Sequence, residues 1–204
     1  MACVGRAQVF TTMSDDLELS EGGAIVTRSG PATGSSTTSL KDGRKLGGGG
    51  RPGAGSRYRC AMCGGEADVL RAGKHLVEFQ LTRAAGNTTI GVAQANYDPL
   101  KVYLPGEPRG EAGESWGMST RSGSLSFRGK VNSWVGRTPA AEGDRVGMLV
   151  DLDKGSLTVF LNRVKLGTMV AAGLEGPLLW MAELSTAGDA VRIERIDPLP
   201  EWAT

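Results

Sequence analysis

Apolar and polar residues alternate along much of this chain with a period of two. The pattern is cleanest from Glu142 to Val170. Val146, Met148 and Val150 mark one run, Leu157, Val159 and Leu161 a second, and Val164 with Leu166 a third. Period-two runs of this length, separated by turn residues, predict a three-stranded antiparallel meander. The first turn carries Asp153-Lys154-Gly155, where Gly155 can take the positive φ that such turns often need. The second carries Asn162-Arg163. Asn tolerates the left-handed region, whereas Arg adopts it at a cost.

The same alternation predicts further strands on both sides of the meander. Leu17 and Leu19 open the chain's ordered part, Glu21-Gly22-Gly23 turns it, and Ala24 to Arg28 runs extended. Leu76 to Thr82 places Val77, Phe79 and Leu81 on one face, and Thr89 to Ala95 follows. The segments SWGMST and SLSFRG precede the meander. Pro177 to Leu184 is a short apolar run that fits helix or strand by periodicity. Its flanks, Gly176 and Ser185 to Gly188, favour a buried strand. Val191 and Ile193 face inward in a closing strand. No segment joins helical caps to a helical period, and no internal repeat is present, so the class is all-β with antiparallel pairing.

Two stretches break the pattern. Residues 29–56 are dominated by Gly, Ser, Thr and Pro, with Gly47 to Gly50 in a row. Such a segment cannot bury enough apolar surface to offset its ordering entropy. It reads as a flexible insertion within one domain spanning residues 8–197. Between Asn96 and Gly113 lies a second irregular loop, holding Tyr97 and Tyr103.

Composition narrows the function classes. A chain of 204 residues with 40% hydrophobic content suits one sandwich, and its 31 glycines suit many turns. Its 23 basic residues against 22 acids give a net charge of +1. That balance provides no long-range field to gather nucleic acid or anionic lipid. No run approaches the roughly eighteen apolar residues of a membrane span. The N-terminus lacks the apolar core of a signal peptide. Three cysteines, an odd and low count, argue for a reducing compartment. The expected location is the cytoplasm or the nucleus. Asn87-Thr88-Thr89 fits a glycosylation sequon, which has no role there.

Candidate chemistry is sparse. His75 is the only histidine, so any Ser-His-Asp or Cys-His site would have to use it. As a strand residue it is expected to pack or bond locally. Cys60-Ala61-Met62-Cys63 is a lone C-x-x-C with no second pair for zinc. In an extended strand its two sulfurs face opposite sides. Gly47 to Gly50 lack the Gly-Lys-Ser/Thr and the strand-to-helix setting of a phosphate loop. Asp144, Asp151 and Asp153 sit at turns or strand ends, where carboxylates bond backbone amides. The expectation is a non-enzyme with no cofactor and no metal.

The residues, taken in order, resemble the SPRY domain family. The motifs that carry this are Gly73-Lys74-His75-Leu76-Val77-Glu78, Ile90-Gly91-Val92-Ala93, and Glu114-Ser115-Trp116-Gly117. Gly123-Ser124-Leu125, Gly143-Asp144-Arg145-Val146-Gly147, Asp151 with Gly155 to Phe160, and Asn162 to Gly167 continue the series. Leu17 to Ser20 resembles the opening strand. Val77 stands where the family usually has an aromatic, and Arg163 where it usually has Gly. The resemblance implies a curved sandwich of two antiparallel sheets, a concanavalin-like jelly roll. It also implies a protein-interaction module that holds a peptide or loop of a partner on its rim loops, as an adaptor or a subunit.

Trp, Tyr and Arg dominate interface hot spots, and loops on a rigid scaffold are the usual place for them. The candidate partner-binding residues are therefore Arg57, Tyr58, Tyr97, Tyr103, Arg121, Lys130, Trp134, Ser185, Thr186 and Gly188. Tyr97 and Trp134 either touch a partner or anchor their loops. Backbone groups of Ser185 to Gly188 are candidates for pairing with an extended ligand. Trp116 and Trp180 are expected in the core. The alternative function is a lectin-like, carbohydrate-binding or hydrolytic sandwich.

Overall fold

The computed structural model describes residues 8–14, 16–29, 59–98, 114–127 and 130–204. The insertion from residue 30 onward, Arg57, Tyr58 and Tyr103 lie outside the described residues.

Fourteen strands are formed among the described residues: β1 (Thr12–Met13), β2 (Leu17–Ser20), β3 (Ile25–Arg28), β4 (Arg59–Met62), β5 (Lys74–Arg83), β6 (Thr88–Gln94), β7 (Ser115–Ser119), β8 (Leu125–Phe127), β9 (Lys130–Asn132), β10 (Arg145–Asp151), β11 (Ser156–Leu161), β12 (Val164–Val170), β13 (Leu178–Leu184) and β14 (Ala190–Ile196). They build two seven-stranded sheets. One runs β1-β4-β13-β6-β7-β8-β9, the other β12-β11-β10-β5-β14-β3-β2. The strand pairs are antiparallel. The apolar run at Pro177 to Leu184 is a buried strand, β13, as its flanks suggest.

Alternation sets the core. Val77, Phe79 and Leu81 of β5 face Ile90, Val92 and Trp180 across the space between the sheets, and Trp116 and Met118 join them. Trp180 is 1% exposed and meets Phe79 edge-on, with ring centroids 6.1 Å apart. Edge-to-face pairing of this kind adds to the area the rings bury. The opposite face of each sheet is also apolar in part. Outside the first sheet lie Cys60, Met62, Ala93, Leu179 and Met181, with Tyr97 packed on them. Outside the second, Leu76 and Phe160 are capped by the C-terminal turn Glu201–Ala203, whose Trp202 stands edge-on to Phe160 at 5.1 Å.

The meander forms as β10, β11 and β12. Its turns adopt left-handed backbone at Gly155 (φ 63°), Asn162 (φ 50°) and Arg163 (φ 69°). The cost at Arg163 has a counterpart in its side chain, which reaches Glu78 at 3.4 Å. Glu78 is 2% exposed and also meets Arg145 at 3.3 Å. A carboxylate this buried requires such partners.

Cys60 and Cys63 face opposite sides of the first sheet, one in its outer apolar layer and one in the core. Burial pushes both thiols above their ordinary value of 9.0. Glu183 adds to the shift at Cys60. At Cys63 the Gln8 side chain pulls back down and Asp68 pushes further up. Each thiol therefore stabilises the fold fully below pH 9.0, and that contribution is lost as rising pH ionises the unfolded thiols. The expected loss is about 1.4 kcal/mol per pH unit and per thiol above the ordinary value. Urea midpoints measured from pH 7.5 upward in a Cys3→Ser background check this. Rapid labelling of either thiol by a disulfide reagent in the native state would contradict it.

Candidate functional site

Four connections meet at one end of the sandwich. They are the β5–β6 turn (84–87), the β7–β8 turn (120–124), the loop after β9 (133–144) and the β13–β14 turn (185–189). The chain also leaves β3 at Arg28 and enters β4 at Arg59 here, since Arg59 pairs with Leu184.

Two buried or half-buried polar side chains tie these turns together. Asp189 is 0% exposed, and its carboxylate accepts the amide N–H of Gly86 at 2.9 Å and of Thr186 at 2.9 Å. It thereby joins the β5–β6 turn to the β13–β14 turn. Asn87 links the next pair. Its backbone N–H donates to Ser185 Oγ at 2.8 Å, and its Oδ1 accepts from Ser119 Oγ at 2.7 Å and from the Arg121 amide at 3.3 Å. Gly86 permits the approach, because a Cβ there would lie 2.0 Å from Thr186 Oγ1. Gly188 takes φ 88° and donates its N–H to Arg28 O at 2.8 Å, while the Arg28 guanidinium reaches Leu184 O at 3.0 Å.

The amides of Thr186 and Gly188 are bonded to Asp189 and to Arg28 O, while the side chains of Arg121 and Thr186 are exposed.

Trp134 is half-buried and holds its loop. Its indole Nε1–H donates to Gly123 O at 2.6 Å, and its ring packs on the core with Leu166 beside it. Gly136 makes room, since a Cβ there would stand 2.4 Å from the ring. Trp134 thus bridges the β7–β8 turn of the first sheet to β12 of the second. Tyr97 belongs to the connection leaving the opposite end of β6. It lies over the outer apolar layer, and its hydroxyl is 3.2 Å from Glu183 Oε1, two residues before Ser185. Lys130 begins the edge strand β9 opposite Phe127, away from the rim. The structure therefore brings Arg121, Ser185, Thr186 and Gly188 together, sets Trp134 behind them and leaves Lys130 apart.

The residues flagged for chemistry are engaged locally. His75 Nε2 lies 2.8 Å from Ala72 O. Since that carbonyl only accepts, Nε2 carries the proton. Asp144 accepts from the Ala141 amide at 2.7 Å and from Asn162 Nδ2 at 2.8 Å, and Asp151 from the Lys154 amide at 3.1 Å. Among the described residues no group of three or more His, Cys, Asp or Glu side chains is placed to hold a metal ion.

Comparison with known proteins agrees with this architecture. The family model described as SPRY domain matches residues 74–194. No curated protein matches. The structure is similar to that of the SPRY domain of human HERC1, with a TM-score of 0.60 and 14% identity, over 93% of this chain and 99% of that one. It is also similar to the TRIM65 PSpry domain, with a TM-score of 0.58 and 19% identity, over 92% of this chain and 90% of that one. SPRY domains generally serve as non-catalytic protein–protein interaction modules. The matched region is more than half of the chain and contains the meander, the Glu78 motif and the Asn87 and Asp189 turns, so this chain belongs to the SPRY domain family.

Proposed function

We propose that this chain is a non-catalytic adaptor or subunit that binds a peptide or loop of a partner protein on the rim built by Asn87 and Asp189. The observation that carries this reading is the bracing of three turns from beneath by these two side chains. Such bracing leaves a fixed backbone and turns Arg121 and Thr186 outward. A rigid surface loses little conformational entropy on binding, which raises affinity without added area. Arg121 supplies charge-assisted bonds to a carboxylate or carbonyl of the partner. Tyr97 supplies apolar contact on the outer layer of the first sheet, where its hydroxyl meets Glu183.

Affinity capture from cell lysate tests this, comparing the native chain with an Arg121→Glu/Thr186→Arg variant. Both positions are exposed, so the variant keeps the fold. The expected result is a protein captured by the native chain and lost from the variant. A partner held equally by both removes the rim from the account.

A further inference from the structure

Arginines on this chain divide by partner. Arg59, Arg71, Arg145, Arg163, Arg192 and Arg195 each pair with a carboxylate. Arg83, Arg121 and Arg137 are exposed, and none of them has a carboxylate partner among the described residues. All three lie on the rim. Arg83 ends β5 beside Gly188 of the β13–β14 turn, where a Cβ would stand 3.7 Å from the Arg83 Nε. Arg121 begins the β7–β8 turn, and Asn87 holds its amide from beneath. Arg137 reaches the same turn from the loop after β9, its Nε donating to Ser122 O at 2.9 Å. That bond places the guanidinium and leaves its terminal N–H groups free for a ligand.

The rim's own acids do not meet these charges. Asp189 is buried on the amides of Gly86 and Thr186. Glu142 accepts from the Ala84 amide at 3.2 Å, and Asp144 from the Ala141 amide and Asn162. The carboxylates brace the turns, and the guanidiniums face solvent. A planar guanidinium on a fixed backbone suits a group with two anionic oxygens, which it can bind through two parallel hydrogen bonds. The net charge of +1 adds no wider field that would gather a polyanion, so the attraction is local to these side chains.

The sheet sets a spacing. β13, β6 and β7 are successive strands, so the turns that leave β13 and β7 stand about 10 Å apart, two strand spacings. An extended chain covers that distance in about three residues. We propose that the rim takes an extended segment of a partner protein with anionic side chains about three residues apart, one against Arg83 and one against Arg121 and Arg137. The anionic groups are Asp and Glu carboxylates or phosphorylated side chains. This inference rests on the rim being the partner site and names the chemistry it selects.

The test is selection of short random peptides from a displayed library on the full-length chain. The expected result is a set of peptides enriched in Asp and Glu, bound by the native chain and lost from Arg83→Gln/Arg121→Gln/Arg137→Gln. Each single replacement should weaken a selected peptide about threefold, as for one exposed ion pair, and added salt should weaken it further. Synthetic copies with Gln or phosphoserine in place of each acid separate the sources. The Gln copy should not bind. Tighter binding of the phosphoserine copy assigns the site to phosphorylated side chains, and weaker binding assigns it to carboxylates. Acidic peptides held equally by the triple variant would overturn the proposal, as would selected peptides without an excess of acids. If such neutral peptides are lost from Arg121→Glu/Thr186→Arg, the rim stands as a peptide site and only its acidic preference falls. Selection of no peptide at all also overturns the inference and leaves the rim to be judged by the lysate capture.

Discussion

Replacing Asp189 by Ala is expected to lower stability by about 2 kcal/mol, because it removes the shared acceptor of two part-buried amides, at about 1 kcal/mol for each bond lost. The carboxylate is fully buried and accepts from Gly86 and Thr186 at once. The urea midpoint should fall accordingly, and hydrogen exchange at the Gly86 and Thr186 amides should accelerate more than at the core amides of β10. Asp189→Asn, which keeps one acceptor oxygen, should lose about half as much. A destabilisation below about 1 kcal/mol would mean that backbone bonds alone hold these turns.

Trp134→Ala should cost about 2–3 kcal/mol, somewhat less than a fully buried Trp because the ring is half exposed. Two contributions add. One is the indole bond to Gly123 O, worth about 1 kcal/mol. The other is the apolar ring set against Leu166 and the backbone of Gly136. Trp134→Phe separates them, since it keeps the ring and deletes the donor. Chemical denaturation of the three proteins reads the split. A partner-binding loss in Trp134→Ala that Trp134→Phe restores would identify the side chain as a brace for the 133–144 loop. A binding loss in both, with stability unchanged, would identify it as a contact.

The fold was readable from the sequence where alternation and turn chemistry agree. Leu157, Val159 and Leu161 name a strand by period, and Asn162 names the turn that follows by its tolerance of positive φ. β13 needed its flanks, because the unbroken apolar run Leu178 to Ala182 carries no period. The rim was readable only in part. Arg121, Ser185 and Thr186 are suggested by residue type and loop position, and they do converge. Asn87 and Asp189 were missed. Each is a single polar residue beside a strand, with nothing local to show that its partner lies about a hundred residues away in the chain. Asn87 stood out only as the start of a sequon. The one available hint was Thr186 three residues before Asp189, the spacing of a side chain that folds back on a turn amide.

Partner binding at the rim can be tested directly. The most direct test places a photoreactive side chain in turn at Arg121, Thr186 and Val131, and records which position cross-links to the captured partner. Val131 is exposed on the edge strand β9, so it reports contact elsewhere on the first sheet. The account predicts adducts from positions 121 and 186 and none from 131. Adducts from 131 alone would place the partner on the sheet edge and contradict the claim.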